Sequence, residues 1–570
     1  MTRSKLGIAL ALPAMLAAQG GQASPPQTTM RATTRLVEVT VIAQGKHGVP
    51  LRDLKQENFR IFDEGKPQKI GFFSLSAPAA EAPAPEPGPV AAPATTTTLV
   101  TYSNRAEVAS GTSPPTVILI DPMNTGWTDQ VYVKQAVLGF LRQIQPADRV
   151  GIYAIRWPGY LRILYDLTQD SAELVRRVTA WRPDLDAVSG SGPLKGSDPM
   201  EGVVDFLSQS GSDDLSGLRN FAGFLPSHNT RGGYAQMIDH TQVSLLLFAA
   251  AARHLAAIPG RKNLIWVSAG FLLIPQHGDY DALRDAMNVL NSAGVALYAV
   301  DARGLQTLQA DATARPPLTA AAGPDGGART FNPRWAQRIG RTDNTMLERT
   351  QAPMLEMSGL TGGRAFLNTN DIQGAIRTAA DESSVCYTLG FYPDSPRHDG
   401  KFHRIEVKIA GRQDVSTRYR RGYTDAPDPA NDPEGRTVAI RDAAWSPLNA
   451  TAVALRAQVV PTAANRYELR LRIDPRTLDL EETHGQYTGR VDVVVLQEDH
   501  EDNQFNQSIE TVVLALKPES YKKALADGLE YGRAIEPNEQ AAALKIIVRD
   551  AFSGNLGSLT IPIKALRAAN

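Results

Sequence analysis

Cys386 is the chain's only cysteine, so no intrachain disulfide can form and multi-cysteine zinc sites are excluded. In the apolar run Val385-Cys386-Tyr387-Thr388-Leu389 it reads as a small core residue rather than a reactive thiol. Serine chemistry needs a nucleophile on a strained turn, yet no Gly-x-Ser-x-Gly elbow is present, and Ser189 and Pro193 flank Ser191 where the glycines belong. Lys195-Gly196-Ser197 has the wrong order for a phosphate loop, and no apolar strand leads into it. The nine histidines form no His-Glu-x-x-His helix. The acidic run Glu498-Asp499-His500-Glu501-Asp502 could attract a cation, but between two strands it reads as a solvated hairpin loop. With 59 basic and 60 acidic side chains, a net charge of -1 gives no electrostatic case for nucleic acid or an anionic membrane. Nothing in these motifs argues for an enzyme, and none is expected, although catalytic triads are assembled in space and not in sequence.

The elements that must position any site fall into several blocks. At 570 residues and 42% apolar composition, the chain is sized for about three or four domains. Residues 1–23 read as a signal peptide: Arg3 and Lys5 precede the apolar stretch Leu6 to Ala18, and Gly21-Gln22-Ala23 offers a small-x-small cleavage site. No later stretch is long and apolar enough for a membrane span, so the reading is an exported protein of the periplasm, cell surface or exterior. Residues 30–76 form a β segment, in which Val37, Val39 and Val41 alternate with Glu38 and Thr40. Residues 77–113 read as a linker rich in Pro and Ala. From 114 to 384 strands alternate with helices, beginning with the continuous apolar strand Thr116-Val117-Ile118-Leu119-Ile120, as in a parallel sheet covered on both faces. Polar insertions at 183–238 and 305–350 interrupt this series. Residues 385–425 return to β character and are expected to complete one sandwich with the N-terminal segment. Residues 433–570 are expected to form a separate C-terminal β domain.

Several runs carry a family resemblance. They are Glu57-Asn58-Phe59 with Phe62-Asp63-Glu64-Gly65-Lys66-Pro67, Leu119-Ile120-Asp121 with Asn124-Thr125, and Pro259-Gly260-Arg261-Lys262-Asn263-Leu264-Ile265-Trp266-Val267-Ser268. Val300-Asp301-Ala302-Arg303-Gly304 and Tyr387-Thr388-Leu389-Gly390-Phe391-Tyr392 complete the set. Residues 35–424 thereby resemble the acidobacterial VWFA-related proteins, within the von Willebrand factor A-type domain family. The resemblance implies a doubly wound, mostly parallel sheet inserted in a β-sandwich, with a binding site at the carboxyl ends of the strands.

Many such domains hold Mg²⁺ in a metal-ion-dependent adhesion site, where an acidic ligand group completes the coordination. By resemblance, the ligand positions fall on Asp121, Met123, Thr125, Thr241 and Ala269. Asp121, Thr125 and Thr241 keep oxygen ligands, whereas Met123 offers a thioether and Ala269 offers nothing. Asn124, Asp239 and Asp301 are the residues that could compensate for a Mg²⁺ or Mn²⁺ ion. The competing reading is that Asp121 caps the following turn and binds no metal. The function expected is adhesion-type binding of an extracytoplasmic protein ligand through a degenerate site. The alternatives are an inert spacer of an envelope assembly, or a hydrolase hidden in the insertions or the C-terminal domain.

Overall fold

The structure is a computed structural model that describes residues 36–76, 100–105, 113–156, 160–183, 230–273, 279–305, 333–393, 400–412, 414–425, 429–463, 466–499 and 504–564. The residues read as a signal peptide, most of the expected linker and the larger parts of both expected insertions lie outside the described residues.

Chain order begins with β1 (Val37–Gln44), β2 (Phe59–Asp63), β3 (Lys66–Gln68), β4 (Ile70–Ser76) and the short β5 (Thr101–Ser103). The α/β unit runs β6 (Thr116–Ile120), α1 (Trp127–Leu141), β7 (Val150–Arg156), β8 (Tyr160–Thr168), α2 (Ser171–Ala180) and α3 (Thr230–Leu255). It continues with β9 (Lys262–Ser268), α4 (Asp279–Ser292), β10 (Val295–Asp301), α5 (Pro333–Thr361), β11 (Ala365–Phe366) and α6 (Ile372–Glu382). β12 (Cys386–Phe391), β13 (Phe402–Ile409), β14 (Ser416–Arg418) and β15 (Gly422–Thr424) follow. Last come α7 (Pro433–Trp445), β16 (Leu455–Ala463), β17 (Arg466–Ile473), β18 (Glu481–Thr483), β19 (Gln486–Glu498), β20 (Gln504–Leu516), α8 (Pro518–Asp527), β21 (Leu529–Ile535), β22 (Ala543–Asp550) and β23 (Leu556–Pro562).

The protein is thus mixed α/β with several sheets, and one of them is mixed and mostly parallel. That sheet has the order β11-β10-β9-β6-β7-β8, parallel throughout except for β8 at one edge. Its central strands β6, β9 and β10 are buried at every position and mostly apolar, because both faces are covered. Val117, Leu119, Leu264 and Trp266 face one core, shared with Phe248 of α3, Met287 of α4 and Met354 of α5. Ile118, Ile120, Ile265 and Val267 face the other, shared with Val137 of α1, Val178 of α2 and Ile376 of α6.

Two four-stranded sheets, β14-β1-β12-β4 and β15-β13-β2-β3, flank this unit. β12 lies antiparallel between β1 and β4, and β13 lies antiparallel to β2. Residues before and after the α/β unit therefore share one core of Val39, Val41, Phe59, Ile61, Tyr387, Leu389 and Val407. The Tyr387 hydroxyl fastens the loop between β1 and β2, donating to Leu51 O at 3.0 Å and accepting from Leu54 N at 3.2 Å.

Three sequence expectations are corrected. First, the linker assigned to 77–113 is not linker throughout, because β5 pairs antiparallel with β16 in the C-terminal sheet β21-β17-β16-β5. Asn104 is buried beside it; its Nδ2 donates to Ala450 O and Val453 O, each at 2.8 Å, and its Oδ1 accepts from Leu455 N at 2.8 Å. Backbone groups at that edge need partners, and a distant segment supplies them. Second, the 433–570 domain is consequently not built from its own residues alone. Nor is it separate, since Thr451 N donates to Arg253 O at 3.1 Å and the Thr451 hydroxyl to His254 O at 2.7 Å, both at the end of α3. Third, both insertions are partly helical. α3 begins at Thr230, and α5 begins at Pro333 and continues through Pro353 to Thr361. Met354 and Met357 lie near the end of that 29-residue helix. Both are fully buried against the sheet, and that tertiary burial offsets the backbone bond Pro353 cannot make.

Candidate functional site

The chain leaves β6 for β7 and β8 on one side, then crosses to β9 and β10 on the other. The strand order reverses between β6 and β9, and ligands of open α/β sheets bind outside the carboxyl ends of the strands at such a point. Asp121 follows β6 at this point, and Ser268 ends β9 beside it, with Asp121 N donating to Val267 O at 3.0 Å.

The Asp121 carboxylate is completely buried and surrounded by donors. Oδ1 accepts from Asn124 N at 3.1 Å, capping the short 3₁₀ turn Pro122–Asn124. Oδ2 accepts from Asn124 Nδ2 at 2.8 Å, Trp266 Nε1 at 3.0 Å and Ser268 Oγ at 2.9 Å. Burial raises the Asp121 pKa above its ordinary value, while the bonds from Asn124, Trp266 and Ser268 pull it back in part. Asn124 Nδ2 also reaches Ser244 Oγ of α3 at 3.0 Å.

The other predicted residues are placed as follows. Thr125 Oγ1 accepts from Ala269 N at 3.2 Å, and Thr241 Oγ1 donates to Leu272 O at 2.9 Å. Met123 is turned into the core that holds Trp266. Asp301 is fully buried and ion-paired: its Oδ1 accepts from Arg303 Nε at 2.8 Å, and its Oδ2 from Arg303 Nη2 at 2.8 Å and Gln351 Nε2 at 2.7 Å. Asp239 lies on α3, and its side chain is outside the described residues. The structure therefore gathers Asp121, Asn124 and Thr125 at the β6–β9 edge and occupies Asp301 with its own arginine.

A Mg²⁺ or Mn²⁺ ion wants an open octahedral set of hard oxygens. These residues do not fit one. Both oxygens of Asp121 are spent on N–H and O–H donors, Met123 faces the core, Ala269 lacks a carboxylate and Arg303 neutralises Asp301. Among the described residues no group of three or more His, Cys, Asp or Glu could hold a metal. The donors from Trp266, Ser268 and Asn124 supply the positive electrostatic environment that a cation would otherwise provide.

Sequence reasoning missed Trp266, Ser268 and Ser244. The signal was present in part, since residues 264, 266 and 268 share one face of a strand and the last two carry donors.

The same contacts make the edge rigid. Gln130 Nε2, fully buried, donates to Thr125 O at 2.8 Å and Pro122 O at 3.2 Å. Gly270 has φ +80, and a Cβ there would lie 2.3 Å from Thr350 O, so only glycine allows α5 to approach this closely. Directly beyond the pinned turn, α1 opens with Trp127, which is 53% exposed.

The chain matches no protein-family model and no curated protein. Among solved structures it is similar to an aerotolerance-related membrane protein of Bacteroides fragilis at 12% identity, covering 47% of this chain and 100% of that one with a TM-score of 0.22. It is similar to the conserved hypothetical protein BatB of Bacteroides thetaiotaomicron at 14% identity, covering 48% and 97% with a TM-score of 0.18. It is also similar to the pilus adhesin SpaC of Lactobacillus rhamnosus GG at 10% identity, covering 77% and 53% with a TM-score of 0.23. Among the described residues, no helix is long and apolar enough to cross a membrane.

Proposed function

We propose that this chain is an exported protein-interaction protein that acts by binding and not by catalysis. A von Willebrand A-type domain, held within one β-sandwich and buttressed by a second, would dock an extracytoplasmic protein ligand at the β6–β9 edge. The docking is metal-independent. The observation that carries this reading is Trp127: a half-exposed indole held at the switch point by a turn whose buried carboxylate is saturated with hydrogen bonds. Rigid exposed aromatics serve as anchors of protein interfaces because they bury large area at small entropic cost.

The test places a photo-activatable cross-linking residue at Trp127 in the full chain, in its own cells. A control carries it at Tyr392, an exposed residue of the first sandwich. A discrete adduct from position 127, absent from 392 and persisting in chelator, is expected. Identical adducts from both positions, or none, would overturn the reading, and an adduct abolished by chelator would overturn its metal independence.

A second reading, a rigid spacer of an envelope assembly, is favoured by the docking of the C-terminal domain. Besides Thr451, the contact includes His254 Nδ1, which faces Asn449 O at 3.0 Å. A spacer predicts no adduct specific to position 127.

A further inference from the structure

The C-terminal domain holds a group of charges that the binding edge does not use. β19 lies between β20 and β22, with Asp492 opposite Thr511 on one side and Arg549 on the other. Arg490, two residues before Asp492, projects from the same face. Farther along that face Val494 and Leu496 pack under Ile440 and Ala443 of α7 in an apolar core. Arg436, in the first turn of α7, reaches back to Asp492. Arg436, Arg490, Asp492, Thr511, Arg549 and Asp432 line a cavity of about 250 Å³ between the sheet, the start of α7 and residues 429–432.

The charges do not balance. Arg436 takes both oxygens of Asp492, with Nε and Nη2 each at 2.8 Å, and Thr511 Oγ1 donates to Asp492 Oδ1 at 2.7 Å. Arg549, only 3% exposed, reaches the same carboxylate at 3.5 Å. Asp432 is engaged as the cap of α7, its Oδ1 accepting from Gly435 N at 2.8 Å. The remaining contacts are to neutral carbonyls: Arg549 Nη2 to Pro429 O at 3.0 Å and Arg490 Nη2 to Ala430 O at 3.1 Å. Within the cavity lining three guanidiniums thus face two carboxylates, one of them committed to a helix cap; buried Asp550 acts on Arg549 from outside the lining, and Arg549 Nε is buried with no acceptor. Burying cations beside one another is costly unless an anion completes the set. The start of α7, a helix of 13 residues, adds a partial positive charge at the same place.

We infer that this cavity binds a small oxyanion of the phosphate class, with Arg490 and Arg549 as its principal donors. Guanidinium forks match tetrahedral oxyanions in bidentate geometry, and the volume admits a phosphate or the end of a small monoester.

The test is calorimetric titration and thermal melting of the full chain with sodium phosphate, against sodium chloride at matched ionic strength. Arg549→Gln risks unfolding a buried position, so Arg490→Gln and Arg490→Lys carry the test, with circular dichroism as the folding check. Arg472→Gln, an exposed residue paired with Glu530 on β21, is the control. Saturable phosphate binding is expected in the wild type and in Arg472→Gln. Arg490→Gln should weaken it about tenfold or more, and Arg490→Lys by less. Glycerol phosphate binding as tightly as inorganic phosphate would identify a monoester site; binding of inorganic phosphate alone would identify a free anion. Identical behaviour in phosphate and matched chloride would overturn the inference, as would equal losses in Arg490→Gln and Arg472→Gln.

Discussion

Replacing Asp121 with alanine removes the acceptor for donors on two elements. Trp266 Nε1 and Ser268 Oγ of β9 are fully buried, and Asn124 N and Nδ2 belong to the capped turn. A buried donor left unsatisfied costs about 1 to 3 kcal/mol. Ser268 can reorient and Asn124 retains Ser244, so Trp266 and the lost cap dominate. The ionised carboxylate is itself held at a cost, as its raised pKa records, and alanine relieves part of that. The net expectation is a loss of about 3 kcal/mol, near 6 to 12 °C in melting temperature for a domain of this size. The assay is differential scanning calorimetry of the full chain in Mg²⁺, in Mn²⁺ and in chelator. Wild type should melt identically in all three, and Asp121→Ala should melt lower by the same amount in each. A metal-dependent rise in wild type that Asp121→Ala lacks would refute the reasoning, because the cation would then outcompete the donors. So would a variant melting within about 1 °C of wild type.

Other expectations follow from the same contacts. Both ring nitrogens of His254 face acceptors, Asn449 O at 3.0 Å and Asp166 Oδ2 at 3.1 Å, so both donate and the ring is an imidazolium. Burial lowers its pKa, but the Asp166 carboxylate and the Asn449 carbonyl together more than offset this, leaving it above the ordinary value. Burial likewise raises Asp166, and bonds from His254 and Tyr153 overcome this and hold it at about 2. The stability from this pair is therefore complete between about pH 4 and 6.5, lost on the alkaline side as His254 deprotonates above its unfolded value, and lost on the acid side toward pH 2. Melts of wild type and His254→Ala from pH 3 to 9 check this, since the variant should lack the alkaline decline. Gly270→Ala should cost about 2 to 3 kcal/mol in urea unfolding, because the added carbon meets a backbone carbonyl at positive φ. Asn104→Ala should lower C-terminal domain stability by about 2 to 4 kcal/mol in the same assay, stranding the Val453 carbonyl and the Leu455 amide, whereas Ala450 O keeps Ser558 N. Trp127→Ala should leave the melt within about 1 °C of wild type, since its side chain is half exposed, while abolishing the adduct formed from a cross-linking residue placed one turn on at exposed Val131.

The sequence by itself determined whatever depends on local periodicity. Apolar runs such as Thr116–Ile120 and Leu264-Ile265-Trp266-Val267 announced strands covered on both faces, because only such strands dispense with a polar side. The period-2 alternation at Val37, Val39 and Val41 announced a two-faced strand. The family resemblance, and not periodicity, singled out Asp121, Asn124 and Thr125 after the strand Thr116–Ile120. What the sequence left open depends on contacts between residues far apart in the chain. That Trp266 and Ser268 would satisfy Asp121 required β9 to lie beside β6, which periodicity does not specify. That Gln351 would join the neighbouring Arg303 on Asp301 required α5, whose Pro353 reads as a break and whose helix is held by buried Met354 and Met357. β5 sits among prolines and alanines and is a strand only because β16 offers it an open edge. Tertiary structure decided these points because hydrogen-bond partners and sheet edges belong to the folded neighbourhood, where a buried polar group must find its partner wherever the chain brings one.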